Sequence, residues 1–172
     1  GATVVPILPD FNPVDITHII NHSEAELLFV SDQIWEHIEF DKLLNVKGVI
    51  SLNSKKLLAE AEGADIKKEL RLLRRRFNAK YKNGFTRDHI VYPEIDNSQM
   101  LVLNYTSGTT GFSKGVMLTG NNLAGNIVFG MNSRLHYRGS RALSFLPLAH
   151  AYGCAFDMLT TLAVGSHVTL LC

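Results

Sequence analysis

The sequence predicts an α/β fold made of parallel-sheet layers with crossover helices, and three features support this prediction. Short apolar runs, typical of buried strands, alternate with segments in which apolar residues recur at helical spacing. The chain has 172 residues, 46% hydrophobic and 19% charged, which is enough apolar material for one ordinary domain with a core. Boundary residues fall where the elements should end, with Pro147 after an apolar run and Gly165 after a helical pattern.

Residues 1–53 are predicted to form the first strand–helix units. Three short apolar runs are expected to be buried strands: residues 3–7, 27–30 and 46–52. Two segments between them have helical character: residues 14–22 and 33–44. The first of these carries Asp15 near its start, where an acidic side chain favours a helix.

Residues 54–98 interrupt this alternation and are predicted to be a basic helical insertion followed by a connector. Four apolar residues step by four, three and four positions and so form one stripe of a helix: Ile66, Leu70, Leu73 and Phe77. The surrounding positions are basic: Lys67, Lys68, Arg71, Arg74, Arg75, Arg76, Lys80 and Lys82. One interpretation is a solvated outer face, and the alternative is peripheral contact of the 67–82 helix with an anionic membrane or another acidic partner. Nucleic acid is not predicted, because no stacking aromatic residues are interleaved with these charges.

The alternation resumes over residues 99–172. Four runs are predicted strands: residues 99–106, 116–118, 142–146 and 167–171. Thr119 is a predicted N-cap for a helix that continues to about Ser133. A second helix is predicted over residues 151–163, with Gly165 as its C-terminal stop.

The overall composition excludes several classes of protein. The net charge of +1 gives no global reason to expect nucleic acid or a strongly acidic partner. Cys154 and Cys172 offer neither a disulfide framework nor metal-ligand spacing, which favours a reducing, cytoplasmic setting. No apolar run approaches the roughly 20 residues of a membrane span, and no signal peptide is recognisable at the start. Because both ends are apolar, we expect the chain to be a piece of a longer protein.

The segment from Tyr105 to Gly115 has the composition of a phosphate-binding loop. After the tyrosine it contains five hydroxyl side chains, three glycines and one lysine, Lys114. Glycines let backbone N–H groups approach an anion, hydroxyls add donors and lysine adds a positive charge. A flexible linker does not require the apolar strands on either side. A Walker A loop is disfavoured, because Ser113 and Gly115 stand where that motif needs glycine and Ser or Thr.

Residues 105–116 closely resemble the phosphate-binding signature of the adenylate-forming superfamily, which includes acyl-CoA synthetases, the adenylation domains of peptide synthetases, and luciferases. The usual pattern is Y-T-S-G-T-T-G-x-P-K-G-V, and this chain departs from it at Ser113, where proline is common. Residues 144–153 resemble the next family motif, an apolar strand ending in Pro-Leu-x-His, and residues 1–7 resemble an earlier strand, G-A-x-x-V-P-I. The sequence Leu-Pro-Leu-Ala-His resembles the long-chain fatty acyl-CoA synthetases more than the peptide-synthetase branch.

This resemblance implies a partial acyl-CoA synthetase-like N-terminal domain. The implied reaction uses ATP with Mg²⁺ to convert a fatty acid into an acyl-adenylate and pyrophosphate, after which CoA forms the acyl-CoA. Lys114 and His150 are the implied catalytic residues, His150 as a positioning group in the acyl and adenylate pocket. Thr106 is implied to help position Mg²⁺, and Tyr152 and Gly153 to lie near the acyl channel. The implied phosphate contacts are Thr106, Ser107, Gly108, Thr109, Thr110, Gly111 and Lys114.

Other segments of the family pattern are not found in the 172 residues. The Tyr-Gly-x-Thr-Glu segment for adenine and Mg²⁺, the later Thr-Gly-Asp segment for ribose and the C-terminal-domain lysine are expected beyond residue 172. We therefore expect the isolated chain to be inactive and to dimerise through uncovered strand edges. Two alternatives stay open at this point. One is another acid–thiol ligase or an acyl-AMP ligase, and the other is a non-catalytic nucleotide- or lipid-binding module.

Overall fold

The computed structural model describes residues 1–106 and 113–171 and confirms the α/β class. The strands within these residues are β1 (Leu27–Val30), β2 (Gly48–Ser51), β3 (Leu57–Glu60), β4 (Met100–Thr106), β5 (Lys114–Thr119), β6 (Arg141–Ser144) and β7 (His167–Leu170). The helices are α1 (Pro13–His22), α2 (Asp32–Trp35), α3 (Ile66–Lys80), α4 (Gly120–Asn132) and α5 (Thr161–Val164), with a π-helical segment, Gly153–Thr160, directly before α5. The chain divides into two compact units: Asn12–Glu94, and Gly1–Phe11 together with Ile95–Cys172.

The Asn12–Glu94 unit contains the sheet β1–β2–β3, in which β1 and β2 are parallel and β3 is antiparallel to β2. The predicted helix over 14–22 is confirmed as α1, which begins because the Asn12 side chain accepts a hydrogen bond from the Asp15 N–H at 2.9 Å. The strands predicted over 27–30 and 46–52 are confirmed as β1 and β2. The buried apolar residues of this unit are Ile16, Ile19, Ile20, Val30, Ile38, Leu43, Val46 and Val49.

Two predictions for this unit need correction. The single helix expected over 33–44 is instead α2 followed by a 3₁₀ turn at Phe40–Lys42. Ile38 and Leu43 are both buried, and a five-residue spacing would turn them to nearly opposite faces of a continuous helix. β3 was not predicted, and its antiparallel pairing with β2 makes this sheet mixed rather than purely parallel.

In the other unit, β4 lies between two neighbours. β4 and β5, the two strands predicted on either side of the glycine-rich loop, form an antiparallel hairpin. On the opposite edge of β4, Val4 makes a parallel bridge to Val102. Apart from this bridge, the buried strand predicted over 3–7 is wrong. Val4 itself is 57% exposed, so the segment is not buried there either. Pro6 has no N–H group and cannot extend the pairing.

The rest of this unit follows the predicted order. α4 begins at Thr119, whose hydroxyl accepts from the Asn122 N–H at 3.3 Å while the Asn122 side chain accepts from the Thr119 N–H at 2.9 Å. β6 and β7 are parallel. The helix predicted over 151–163 is present but has π-helical geometry over most of its length, and Gly165 ends it with a φ of 76°.

Replacing Gly130 with alanine is expected to destabilise the protein by about 1–3 kcal/mol. A Cβ on Gly130 would lie 2.7 Å from Thr160 Oγ1 and 2.8 Å from Thr160 Cγ2, and Thr160 is fully buried. Gly125 is the matched control on the same helix, because a Cβ there meets nothing within 4 Å. Gly125→Ala should leave the stability unchanged or raise it by up to about 1 kcal/mol in urea unfolding. Equal effects of the two substitutions would contradict the close packing of α4 on the π-helical segment.

Candidate functional site

The β4–β5 hairpin presents the two ends of the predicted phosphate-binding loop side by side. Thr106, the last residue of β4, is the cross-strand partner of Lys114, the first residue of β5. Both residues are exposed. The remaining predicted phosphate contacts, Ser107, Gly108, Thr109, Thr110 and Gly111, lie outside the described residues.

Backbone hydrogen bonds hold β4 from its second edge as well. The Val4 N–H donates to the Leu101 carbonyl at 2.9 Å, and the Leu103 N–H donates to the Val4 carbonyl at 2.9 Å. The Thr3 hydroxyl donates to the Met100 carbonyl at 3.3 Å. Because β4 is paired on both sides, the strand that leads into the loop is fixed in position. A site residue carried on such a strand, such as Thr106, therefore starts from a well-supported backbone.

Tyr105 and Gly115 explain two positions of the loop signature in physical terms. Tyr105 is 3% exposed, and burial raises the pKa of its hydroxyl above the usual value. Gly115 is its cross-strand partner. A Cβ on Gly115 would lie 3.1 Å from Leu103 Cδ1 and 3.4 Å from Tyr105 Cζ, so the tyrosine ring lies close over the glycine. The tyrosine therefore anchors the hairpin.

Lys114 supplies a positive charge at the end of the hairpin. Its side chain is exposed and forms no ion pair with any residue among 1–106 and 113–171. A lysine that is not neutralised by a carboxylate is suited to bind an anionic group that enters from solvent. Its position opposite Thr106 places an ammonium group and a hydroxyl group at the same end of the hairpin.

His150 lies in the turn between β6 and the π-helical segment. Its backbone N–H donates to the Pro147 carbonyl at 2.9 Å, and its own carbonyl accepts from the Cys154 N–H at 3.0 Å. Its Nδ1 accepts a hydrogen bond from the Tyr152 N–H at 3.2 Å. An imidazole that accepts at Nδ1 carries its proton on Nε2 when neutral, so the exposed Nε2 is a hydrogen-bond donor.

Gly153 and Tyr152 follow directly on the chain. Gly153 is buried, and a Cβ there would lie 2.8 Å from the Pro147 carbonyl oxygen. Glycine is therefore required for the helical segment to approach the turn that carries His150. Tyr152 is half exposed, and its ring packs against Phe156 with centroids 4.8 Å apart.

A further contact that sequence reasoning missed holds the turn from its other side. The buried Ser144, at the end of β6, donates from its hydroxyl to Asp157 Oδ2 at 2.9 Å. This bond joins the strand before the His150 turn to the helical segment after it. No sequence motif contains both residues, because they are thirteen positions apart in the chain. Cys154 lies between them, and burial raises the pKa of its thiol, which keeps it protonated near neutral pH.

The predicted site residues that the structure describes thus fall into two groups in one unit, Thr106 with Lys114 and His150 with Tyr152 and Gly153. Among the described residues, no group of three or more His, Cys, Asp or Glu side chains could hold a metal ion. The exposed Thr106 side chain offers one hydroxyl oxygen, and oxygen is the ligand type that Mg²⁺ prefers. This suits an ion that keeps several waters and is bound mainly through substrate phosphates.

Comparison with known proteins identifies the family of this chain. A family profile described as AMP-binding enzyme matches residues 1–171. The 4-hydroxybutyrate–CoA ligase 2 of Metallosphaera sedula is 31% identical over 174 residues, covering 96% of this chain and 29% of the relative. A long-chain-fatty-acid–CoA ligase of Escherichia coli O6:H1 is 26% identical over 189 residues, covering 99% of this chain and 33% of the relative.

The fold is similar to that of solved ligase structures. The anthranilate CoA ligase AuaEII, solved in complex with anthranoyl-AMP, matches with a TM-score of 0.76 at 18% identity. The match covers 100% of this chain and 30% of that structure. The chain therefore spans about a third of the length of the proteins it matches, both in sequence and in structure.

Proposed function

The chain belongs to the AMP-binding enzyme family, and we propose that it is part of an ATP-dependent ligase that joins a carboxylic acid to CoA. The proposal depends most on residues 105–116, in which the family's phosphate-binding signature spans the two strands of a hairpin. In the first step a carboxylate oxygen bonds to the α-phosphorus of ATP, and the bond from that phosphorus to the pyrophosphate oxygen breaks. In the second step the CoA sulfur bonds to the acyl carbon and AMP leaves.

Charge is the main obstacle in the first step, because a carboxylate must approach a polyanion while negative charge builds on the departing pyrophosphate. Lys114 is exposed and paired with no carboxylate among the described residues, so its ammonium group is available to the β- and γ-phosphates. The loop residues 107–111 are proposed to add backbone N–H and hydroxyl donors. Fixed donors of this kind stabilise the developing charge without reorganising during the reaction.

Mg²⁺ is proposed to enter with ATP and to neutralise part of the phosphate charge while bound. Thr106 is the residue of this chain that would hold it, through a hydroxyl that faces solvent at the end of β4. Since carboxylates are not clustered among the described residues, the phosphates and water would supply most of the other ligands.

His150 is proposed to position the acyl and adenylate groups. Its Nδ1 is engaged with the Tyr152 N–H, so a ligand would meet the Nε2 donor. Tyr152 and Gly153 are proposed to border the acyl channel. We do not assign His150 as a general base, because a neutral ring with an occupied Nδ1 has no lone pair left at the exposed nitrogen.

A long-chain fatty acid is the proposed substrate. The supporting observations are the Leu-Pro-Leu-Ala-His sequence at residues 146–150 and the similarity to the E. coli long-chain-fatty-acid–CoA ligase. The Metallosphaera relative is named for a short hydroxy acid and is similar over the same part of the chain, so another acid–thiol ligase is the second candidate. We also propose that the 172 residues alone do not catalyse the overall reaction, because they lack the family's adenine and ribose segments.

Pyrophosphate release tests these proposals. The full-length protein that carries this chain should release pyrophosphate from ATP in the presence of a long-chain fatty acid, and should then consume CoA. Stronger release with short or aromatic acids would favour the second candidate. Release without CoA consumption would indicate an acyl-AMP ligase, and no release with any acid would indicate a non-catalytic binding module. Activity of the 172 residues alone would contradict the proposed need for the other segments.

A further inference from the structure

The positive charge of this chain is concentrated on one helix. Residues 66–82, which comprise α3 and the two residues after it, contain eight Lys and Arg and one Glu, a net charge of +7. Since the whole chain carries +1, the remaining residues carry −6. The charge around α3 is therefore a local property with its own electrostatic field and not a consequence of a basic protein.

Part of the apolar stripe of α3 faces solvent. Ile66 is half-buried and packs on Gly48, because its Cγ1 lies 3.0 Å from where a glycine Cβ would be. Leu70, Leu73 and Phe77 are exposed, and Leu73 is 62% exposed. An exposed stripe of this kind on a helix that is otherwise basic is typical of segments that lie on membrane surfaces.

The cations border this stripe on both sides. With a turn of about 100° per residue, Arg74 lies about 60° to one side of Phe77 and Lys80 about 60° to the other. Both side chains are exposed. We call Leu70, Leu73 and Phe77, with the flanking Arg74 and Lys80, the α3 face. Long basic side chains beside an apolar stripe can keep their charged groups at the headgroups while the stripe contacts acyl chains.

An aromatic cluster extends the α3 face beyond the end of the helix. The ring of Phe77 lies 4.9 Å from Tyr81 and 5.6 Å from Phe85, and Tyr81 lies 5.0 Å from both Phe85 and His89. The Lys80 ammonium group lies 5.3 Å from the centre of the Tyr81 ring. Aromatic rings next to cations are frequent at the boundary between lipid headgroups and acyl chains.

We propose that the α3 face docks onto a membrane surface that contains anionic phospholipids. Only two cations of residues 66–82 are paired within the described residues, Arg76 with Glu69 at 2.8 Å and Lys68 with Asp65 at 3.7 Å. The others, including Arg74 and Lys80, are available to lipid phosphates. Contact would be peripheral, since no helix among the described residues is long and apolar enough to cross a bilayer.

Two features favour a membrane over a nucleic acid. The aromatic rings pack against one another, two of the pairs at tilted or edge-on angles, and so do not form a flat platform for stacked bases. The exposed leucines have no role in binding a polyphosphate backbone, whereas acyl chains would cover them. The inference does not depend on the proposed ligase activity, and its test can fail while that activity is confirmed.

The test is co-sedimentation of the full-length protein with vesicles of phosphatidylcholine alone or mixed with phosphatidylserine. Binding should require phosphatidylserine and should weaken as NaCl is raised. The double substitution Arg74→Gln/Lys80→Gln should lower the partition coefficient about tenfold or more. Its matched control is Lys55→Gln/Lys56→Gln, two exposed lysines that make no ion pair among the described residues. Leu73→Gln should weaken binding, whereas Leu52→Gln should not, although Leu52 is 61% exposed.

Several results would overturn the proposal. One is an equal loss of binding in Arg74→Gln/Lys80→Gln and in its control Lys55→Gln/Lys56→Gln, which would mean that net charge alone matters. Equal binding to both kinds of vesicle, or binding that high salt does not weaken, would also overturn it. Binding of single-stranded RNA at low concentration would also overturn it, if the RNA displaced the protein from the vesicles and this displacement required Arg74 and Lys80. Circular dichroism and thermal unfolding of each variant show that the comparison is made between folded proteins.

Discussion

Replacing Lys114 with alanine is expected to lower the rate of acyl-adenylate formation by about a hundredfold to a thousandfold in the full-length protein. The substitution removes a cation that no described carboxylate neutralises and that lies opposite Thr106 at the end of the hairpin. Because Lys114 is exposed, the thermal unfolding temperature should barely change. Acid-dependent exchange of labelled pyrophosphate into ATP measures the effect directly.

Two further variants separate the position of the charge from its presence. Lys114→Arg keeps the charge but changes the donor geometry, and it should retain part of the activity. Lys56→Ala removes an exposed lysine in the other compact unit and should leave the exchange rate unchanged. If Lys114→Ala exchanged pyrophosphate at the wild-type rate, the proposed role of the loop lysine would be wrong.

The parts of the fold that the sequence predicted well are those that local chemistry decides. Thr119 caps α4 through hydrogen bonds to a residue three positions away, and Gly165 ends α5 by adopting a left-handed conformation. Both signals are contained within a few residues of the boundary. The two strands of the β4–β5 hairpin were equally predictable, because two apolar runs flank a polar loop.

The errors arose where distant contacts decide the structure. β3 has no β-branched residue, and its conformation comes from pairing with β2. The segment after Trp35 leaves the helix because both Ile38 and Leu43 become buried, which their spacing does not allow in one straight helix. At the start of the chain, the apolar run predicted a strand, but pairing with β4 extends only to Val4.

The candidate site shows the same division. A contiguous signature identified Thr106 and Lys114, and their cross-strand pairing follows from the hairpin. The Ser144–Asp157 hydrogen bond was not predictable, because it joins residues whose proximity depends on how the helical segment folds back along β6. The raised pKa of Tyr105 likewise reflects burial that only the folded hairpin creates.

Gly153→Ala is expected to disturb the site from within the turn that carries His150. The added Cβ would lie 2.8 Å from the Pro147 carbonyl oxygen, a backbone atom that cannot rotate away as a side chain can. That carbonyl accepts the His150 N–H, so if the turn moves to relieve the contact, the histidine moves with it or loses this hydrogen bond. We expect a loss of about 1–3 kcal/mol in the free energy of unfolding.

The kinetic effect of Gly153→Ala should differ from that of Lys114→Ala. If His150 positions the acyl group, a displaced turn should raise the KM for the carboxylic acid more than the KM for ATP, whereas loss of Lys114 should act mainly on the phosphates. Gly125→Ala is the control, because a Cβ at that exposed glycine meets nothing within 4 Å. A folded Gly153→Ala protein with wild-type KM values for both substrates would show that the approach of Gly153 to Pro147 serves packing alone. The acyl-positioning role would then have to be tested on His150 itself.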